Sequence, residues 1–214
     1  MTYNTPGMGT YGADWEYGGY SGSGNVQGLL GSCTGRSALV CGNAATVFDD
    51  VRQAMASLPN PLVFAVNDVG IYLPHVDHWV SLHGEKLPVW QAGRRQHWET
   101  EDAVFTHSRT AYAGISYHWD GLNPLFALSG YFAMQVAYLM GCAPIVLCGC
   151  PGDPTRRFFE ADARMNVPAT FGYGSGEKDQ AIRQQVIHEC ARVSELKSCV
   201  RSMGGWTQTY FGGI

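Results

Sequence analysis

The sequence is poor in charge: Asp, Glu, Lys and Arg make up 15% of its 214 residues, and the net charge is −4. A broad positive face for nucleic acid is therefore not expected, and the pairs Arg94-Arg95 and Arg156-Arg157 are interpreted as solvated surface. No run of about 18 apolar residues is present, so no membrane span is predicted. Neither nucleic acid nor a membrane is predicted as a partner.

The sequence also lacks the cysteine pattern of a disulfide framework or a zinc site. Its seven cysteines are an odd number, and one residue, not two, separates Cys148 from Cys150. We expect buried free cysteines at Cys41, Cys148 and Cys190, in a reducing, cytoplasmic environment. If the chain is encoded by a phage, the predicted location is the host cytoplasm or the virus particle. The cluster His75, Asp77, His78 and His83 contains metal-ligating residue types. His75 and His78 face different directions on an extended chain, however, so no metal is predicted. No cofactor is predicted either.

The first 35 residues differ from the rest of the chain. They are rich in Gly and Tyr, contain no Lys or Arg, and show no clear period. Such a segment is flexible when alone in water. Residues 1–35 are therefore predicted to form an arm, ordered either by a neighbouring subunit or by packing on its own domain. Residues 36–214 are predicted to form one domain.

The clearest local signal is a strand, a tight loop and a helix. A strand is predicted at Ser37–Cys41, where residues 38–41 are apolar. Gly42-Asn43 forms a turn, and Val47–Leu58, with apolar residues at helical spacing, is predicted as a helix. In α/β proteins the ligand crevice lies at the carboxyl ends of such strands. Free N–H groups at a helix N-terminus suit an anion such as phosphate. The pattern predicts a nucleotide-type site.

Further apolar runs extend this pattern into an α/β protein. Strands are predicted at Leu62–Val66, His78–Leu82 and Pro144–Cys148, and a buried helix at Tyr131–Met140. Strands separated by crossovers favour a mostly parallel sheet. Residues 84–127 are predicted to form an irregular aromatic insertion with a short strand at Ala103–Thr106. A long amphipathic helix is predicted at Asp179–Met203, and a last strand at Trp206–Phe211.

Taken in order, these loops resemble those of the Campylobacter-type bacterial sialyltransferases (glycosyltransferase family 42) and of the related MptE-like proteins. That group has Gly-Asn-Gly-Pro-Ser after its first strand, where this chain has Gly42-Asn43-Ala44-Ala45-Thr46. Its second strand ends in Asn, here Asn67-Asp68, and a Ser-Gly opens a small-residue helix, here Ser129-Gly130. A Gly-x-Asp-like loop corresponds to 149–153. The resemblance covers roughly residues 37–153 and implies a Rossmann-like three-layer fold.

The resemblance also implies a ligand and a set of residues that bind it. It implies a nucleotide or nucleotide sugar at the carboxyl ends of the parallel strands, and glycosyl transfer as the activity. Asn side chains both donate and accept hydrogen bonds, whereas Ser hydroxyls and free N–H groups suit phosphate. Asn67 and Ser129 have the alternative role of capping turns and helices. The candidate binding residues are Gly42, Asn43, Thr46, Asn67, Asp68, Ser129 and Gly130.

The chain departs from the family at the catalytic base. The sialyltransferases carry a catalytic His before the last helix, and the matching segment Phe171–Ser175 contains none. Glycosyl transfer needs a group that takes the acceptor proton. His83, at the end of the third predicted strand, is the first candidate, and Asp153 is the second. Four residues of the insertion are further candidates for contacts at the site: Arg94, His107, Arg109 and His118.

Three functions therefore remain open. The first is a glycosyltransferase-like protein that binds a nucleotide sugar. The second is a structural or assembly protein, for instance a virion component, that reuses the fold and grips a neighbouring subunit through residues 1–35. The third is an MptE-like diphosphate-transferring enzyme, which requires a carboxylate-bound Mg²⁺, with Asp68 and Asp153 as the pair.

Overall fold

Seven β-strands form the centre of the structure. The computed structural model describes residues 25–99, 104–120, 122, 128–153, 157–162, 184, 187–188 and 194–214. The strands, in chain order, are β1 (Ala38–Cys41), β2 (Leu62–Val66), β3 (His78–Val80), β4 (Phe105–Ser108), β5 (Tyr117–His118), β6 (Ile145–Cys148) and β7 (Val200–Ser202).

All seven strands are parallel and lie in one sheet, in the order β5-β4-β3-β2-β1-β6-β7. The chain builds outward from β1 in one direction through β5, and then returns to place β6 on the other side of β1. This reversal between β1 and β6 is the topological switch point, where α/β sheets bind ligands.

Helices cover both faces of the sheet. They are α1 (Val47–Ser57), α2 (Leu87–Trp98), α3 (Ser129–Leu139), α4 (Phe158–Ala161), α5 (Ser194–Cys199) and α6 (Gly205–Phe211). A 3-10 helix, Asn67–Ile71, follows β2, and another, Gly84–Lys86, follows β3. The arrangement is a three-layer α/β fold of the Rossmann-like kind.

The sheet divides the hydrophobic core into two clusters because alternate strand residues point to opposite faces. Val40 of β1 packs in the cluster that contains α3, whereas Leu39 and Cys41 pack in the cluster that contains α1 and α2. Every residue of β1, β2 and β6 is buried. Burial on both faces explains why these strands are continuous apolar runs in the sequence.

The predicted strands at the centre of the sheet are confirmed. Leu62–Val66 has the predicted bounds, β1 and β6 each begin one residue later than predicted, and β3 ends at Val80, two residues early. The buried helix is also confirmed, although it begins at Ser129. The insertion is more regular than its sequence indicates, because it contributes α2, β4 and β5. Its strand begins at Phe105, two residues after the predicted start.

The prediction for the C-terminal region is wrong in two places. The predicted helix to Met203 ends at Cys199, because Val200–Ser202 pairs with β6 as a strand. Val200 lies four residues after the buried Leu196 and so also fits a helical period, but strand pairing prevails. Trp206–Phe211 lies in helix α6, not in a strand. Residues 179–183, at the predicted start of the long helix, lie outside the described part of the chain.

The described part of the predicted arm packs on the domain itself. The N–H groups of Gly31 and Cys33 donate to the carbonyls of Leu139 and Met140, at 2.9 and 2.7 Å. Asn25 bonds the edge strand β5 through both side-chain atoms, to the Ser116 carbonyl and the His118 N–H. Residues 1–24 lie outside the described residues. Within the described residues, no helix is long and apolar enough to cross a bilayer.

Candidate functional site

A cleft of about 300 Å³ opens at the carboxyl ends of β1, β2, β3 and β6. This is the edge of the sheet at which the topological switch point lies, and it is the place the sequence predicts for a ligand. The lining residues of the cleft are Gly42, Asn43, Ala44, Val66, Asn67, Leu82, His83, Lys86, Trp90, Leu128, Ser129, Gly130, Tyr131, Leu147, Gly149, Cys150, Pro151, Gly152, Asp153 and Arg157.

The floor of the cleft is formed by two loops in close contact. The Gly42 N–H donates to the Cys148 carbonyl at 2.8 Å, and the Ala44 N–H donates to the Gly149 carbonyl at 3.0 Å. A Cβ on Gly42 would lie 2.5 Å from both Cys150 Sγ and the Gly149 oxygen. Glycine is therefore required at position 42 by close packing, in agreement with the Gly-Asn turn read from the sequence.

Asn43 and Asp68 form a pair at the side of the floor. The Asn43 amide Nδ2 donates to Asp68 Oδ1. Asp68 is fully buried and does not line the cleft, whereas Asn43 does. Asn43 Oδ1 is closed to bulk water and has no hydrogen-bond partner among the described residues. Asp68 therefore holds the Asn43 amide and lies buried behind the cleft lining, whereas its predicted role is that of a binding residue.

Asn67 links the ends of β2 and β3. Its backbone is left-handed, with a φ of 57°. Its Oδ1 accepts a hydrogen bond from Ser81 Oγ at 2.8 Å, and its carbonyl accepts one from Trp79 Nε1 at 2.5 Å. Ser81 Oγ in turn accepts the N–H of His83 at 2.9 Å. This network fixes the β2 and β3 loops, so Asn67 combines the turn-forming role that its residue type favours with a place in the cleft wall.

Helix α3 begins at the cleft with Ser129 and Gly130. The cap residue is Leu128, which has no side chain that can bond the first N–H groups, and its carbonyl accepts the N–H groups of Tyr131 and Phe132, both at 3.0 Å. The N–H groups of Ser129 and Gly130 have no acceptor among the described residues. Two available donors and the positive end of an 11-residue helix dipole therefore meet at this point of the cleft.

Among the residues that the structure describes, two cationic side chains line the cleft, on opposite sides. Lys86 ends the 3-10 helix that follows β3, and Arg157 lies beside the β1 loop, in an antiparallel bridge with Ala44. The N–H of Phe158 donates to the Asn43 carbonyl at 3.0 Å, which anchors Arg157 against that loop. The Arg157 guanidinium lies 5.9 Å from the ring centroid of Phe159. Lys86 has no signal in the sequence pattern that marks it as a cleft residue, and Arg157 is predicted to be solvated surface.

His83 and Asp153, the two candidate bases, both line the cleft. His83 Nδ1 lies 3.6 Å from Glu85 Oε1, and both side chains are about half exposed. At 3.6 Å the two atoms are farther apart than in a hydrogen bond, so the carboxylate does not fix the orientation of the imidazole ring. Asp153 is half-buried in the loop after β6. The geometry is compatible with a base at either place.

Cys150 lies under the cleft floor. Its thiol lies 3.7 Å from the Val40 carbonyl. Burial, and to a smaller extent the neighbouring Cys148, raises the pKa of the Cys150 thiol to about 12. The thiol is therefore protonated at neutral pH, which argues against a role as nucleophile. Cys41 and Cys148 are buried and free, as predicted, and Cys190 lies outside the described residues.

Several other predicted candidates lie away from the cleft. Thr46 is exposed and donates to Asp50 Oδ2 at 3.0 Å; the same carboxylate oxygen accepts the Gly149 N–H at 2.8 Å. Through Asp50, Thr46 thus helps to join the loops that follow β1 and β6, although its own side chain does not line the cleft. Arg94 is buried and donates to the carbonyls of Gly70 and Leu73, at 2.9 and 2.5 Å, so it supports the 3-10 helix after β2.

The histidines of the insertion are also placed elsewhere. His107 is fully buried in β4, where its Nε2 lies 3.0 Å from His78 Nδ1. His118 lies 3.6 Å from Asp120, on the edge strand. Arg109 is exposed and does not line the cleft. Among the described residues, no group of three or more His, Cys, Asp and Glu side chains is arranged to hold a metal ion.

Comparison of the chain with protein-family models, with curated proteins and with solved structures gave no match.

Proposed function

We propose that this protein binds a nucleotide or nucleotide sugar in the cleft and acts as a glycosyltransferase-like protein. The observation that carries the proposal is the start of α3 at the topological switch point, where the N–H groups of Ser129 and Gly130 are available to a phosphate. The resemblance of the loops to glycosyltransferase family 42 supports the same ligand class. Asn67 lines the wall beside this anion site, and Asn43, whose amide is held by Asp68, lines the floor.

In this proposal the cleft residues have distinct roles in transfer. The start of α3 stabilises the departing nucleotide phosphate, because its dipole and N–H groups favour negative charge. The acceptor hydroxyl attacks the sugar carbon, the bond from that carbon to the phosphate oxygen breaks, and His83 takes the acceptor proton. Asp153 is the alternative base.

The other two functions receive less support from the described residues. The MptE-like function requires Asp68 and Asp153 to hold Mg²⁺ together, but Asp68 is fully buried behind Asn43 and does not line the cleft. The assembly function depends on residues 1–35, and the described residues 25–35 of that segment pack on their own domain. The described residues of the cleft therefore favour the glycosyltransferase-like function.

The test is thermal stabilisation of the purified protein across a panel of nucleotides and nucleotide sugars. A ligand that binds only the folded state stabilises it by about 2.7 kcal/mol at a hundredfold excess over its dissociation constant. We expect a shift with cytidine or uridine nucleotides that is lost in Asn67→Ala. Asn60→Ala is the matched control, because Asn60 also has a positive φ, of 45°, but is exposed and precedes β2, at the end of that strand opposite the cleft.

Absence of a shift with every nucleotide would contradict the proposal. A shift that Asn67→Ala and Asn60→Ala reduce equally would show a general loss of stability, and would remove Asn67 from the site. For a ligand that binds, incubation of its nucleotide sugar with acceptor sugars then separates transfer from binding alone.

A further inference from the structure

Two cysteines meet where the segment that precedes β1 packs against the turn after α3. The Cys33 N–H donates to the Met140 carbonyl at 2.7 Å, and the Ala143 N–H donates to the Arg36 carbonyl at 2.9 Å. These two hydrogen bonds hold the segment that contains Cys33 against the turn that contains Cys142. Both cysteines lie far from the functional cleft, and neither lines it.

The two segments are in close contact beside the thiols. A Cβ on Gly141 would lie 2.6 Å from Thr34 Oγ1 and 3.1 Å from Thr34 Cα. Cys142 belongs to the hydrophobic cluster that contains α3, and Cys33 packs against that cluster. The Cys33 and Cys142 thiols are hydrogen-bonded to each other. A disulfide joins Cα atoms about 4.4–6.8 Å apart, and segments in contact of this kind provide such a separation.

The two thiols differ in their access to water. Cys33 is half-buried between the exposed residues Ser32 and Thr34, whereas Cys142 is 2% exposed. Burial, and next the neighbouring Cys33, raises the pKa of the Cys142 thiol to about 12. An oxidant in solution therefore reaches Cys33 first, and Cys142 is the second thiol that lies beside it.

From this arrangement we propose that Cys33 and Cys142 form a reversible disulfide when the protein meets a peroxide. The Cys33 sulfur attacks one oxygen of hydrogen peroxide, the O–O bond breaks, and Cys33 becomes a sulfenic acid with release of one water. The Cys142 sulfur then attacks the Cys33 sulfur, the S–O bond breaks, and the hydroxyl leaves with the Cys142 proton as a second water. Two thiols are oxidised to one disulfide, and one peroxide is reduced to two waters.

The other described cysteines are less suited to this reaction. Cys199 is half-buried near the pair, but it affects the Cys142 thiol less than Cys33 does. Cys41 and Cys148 are register partners in β1 and β6, and both are fully buried in the sheet. A peroxide in solution therefore does not reach them in the folded protein.

The disulfide closes a long loop of the chain. It joins residues 33 and 142, so the loop contains roughly 110 residues and includes strands β1 to β5. A cross-link across so long a loop restricts the unfolded chain, and the oxidised protein should be more stable than the reduced one. The inference is independent of the proposed function.

The test is treatment of the purified protein with hydrogen peroxide, followed by alkylation of the remaining thiols and tryptic digestion without reductant. Trypsin leaves Cys33 in peptide 1–36, Cys142 in peptide 110–156 and Cys199 in peptide 198–201. We expect mass spectrometry to find the first two peptides joined, and dithiothreitol to separate them. The oxidised wild type should lose two of its seven thiols, and its thermal midpoint should rise by about 5–10 °C.

Three variants locate the bond. Cys33→Ser and Cys142→Ala should each abolish the cross-link and the rise in thermal midpoint. Cys142→Ala also distinguishes Cys142 from Cys148 and Cys150, which share its tryptic peptide. Cys199→Ser is the matched control and should form the cross-link as the wild type does. Midpoints measured in dithiothreitol establish that the variants fold, and Cys33→Ser decides alone if the buried position 142 does not tolerate alanine.

Four results would overturn the inference. They are a link between peptides 1–36 and 198–201, a link that persists in Cys142→Ala, a link between two molecules on a non-reducing gel, and no link at all, including oxidation of Cys33 alone to a sulfinic acid. Each of them leaves nucleotide binding in the cleft to be decided by its own experiment.

Discussion

Gly42 shows how a single hydrogen atom determines the shape of the cleft floor. Replacement by Ala places a methyl group 2.5 Å from Cys150 Sγ and from the Gly149 oxygen, and the oxygen belongs to backbone that cannot rotate away. We expect Gly42→Ala to lower the free energy of unfolding by about 1–3 kcal/mol, measured by urea denaturation, and to weaken nucleotide binding.

Gly28→Ala provides the control for this substitution. A Cβ at Gly28 meets nothing within 4 Å, so this substitution should change the free energy of unfolding by no more than about 0.5 kcal/mol. Equal losses in the two variants would mean that the cost at Gly42 does not come from contact in the floor, since the entropy of the unfolded chain favours Ala over Gly in both.

The positions of the candidate residues could be predicted from sequence better than their partners. Gly42, Asn43 and Asn67 follow apolar strands, and parallel strands bring their carboxyl ends to one edge, so their presence in the cleft follows from pattern alone. The burial of Asp68 could not be predicted, because it depends on contact with Asn43, 25 residues away. The role of Arg157 depends in the same way on its bridge with Ala44.

Strands β3, β4 and β5 are joined on one face by a chain of hydrogen bonds. Trp119 Nε1 donates to His107 Nδ1 at 3.1 Å, so neutral His107 carries its proton on Nε2 and donates to His78 Nδ1 at 3.0 Å. The His78 ring stacks on Phe64, with centroids 4.5 Å apart. A second proton on either ring would place two donors opposite each other, so this arrangement requires both histidines to be neutral.

Acid should therefore destabilise these strands. Burial lowers the pKa of His78 to about 4, against the opposing effect of Asp77 and with a small contribution from Arg36, and burial lowers the pKa of His107 as well. Unfolded histidine binds a proton near pH 6.5, so stability is complete above that pH and falls as the pH is lowered toward 4. We expect protonation of His78 alone to lower the free energy of unfolding by about 3 kcal/mol over this range, measured by urea denaturation.

His78→Phe should flatten this pH dependence, whatever it does to stability at neutral pH. His75→Phe is the control, since His75 is exposed and pairs with Asp77 at 3.1 Å. A stability profile between pH 7 and 4 that is as steep in His78→Phe as in the wild type would show that His78 is not the responsible group.

Helix α6 supports the cleft from below. The hydroxyl of the fully buried Thr207 lies 2.9 Å from the carbonyl oxygen of Cys150 and 2.6 Å from the Ser202 hydroxyl. The Thr207 N–H donates to the Pro151 carbonyl at 3.1 Å. The loop after β6, which lines the cleft, is thus held by the C-terminal helix.

Thr207→Val keeps the shape of the side chain and removes its hydroxyl. We expect a loss of about 1–2 kcal/mol in the free energy of unfolding and weaker nucleotide binding, because the Cys150 carbonyl loses its donor. Thr209→Val, on the exposed side of the same helix, should change neither quantity. Unchanged ligand affinity in Thr207→Val would show that the loop keeps its position without α6.

At the scale of the whole molecule, stability should decrease from the centre of the sheet outward. All residues of β1, β2 and β6 are buried, whereas both residues of the edge strand β5 are half-buried. Hydrogen exchange followed by mass spectrometry should show the slowest amides in the three central strands and early exchange in β5. Exchange of β1 as fast as β5 would contradict this order.

The centre of the sheet is also the part that the sequence predicts well. Apolar runs bounded by Gly, Pro and Asn have few alternatives to buried parallel strands, which is why β1, β2 and β6 are found within one residue of their predicted bounds. The edges are less determined by local pattern. Val200 fits a helix and a strand equally, and Trp206–Phe211 has strand-forming residues in a helix, so tertiary contacts decide both.

The position of β1 between β2 and β6 has a consequence for protein synthesis. Cys41 pairs with Cys148, so one side of β1 stays open until about a hundred further residues have been translated. At about 5–20 residues per second, this apolar strand presents an unpaired edge for roughly 5–20 s on the ribosome. Nascent chains arrested after residue 143 should therefore be bound by chaperones, and chains arrested after β7 should be released.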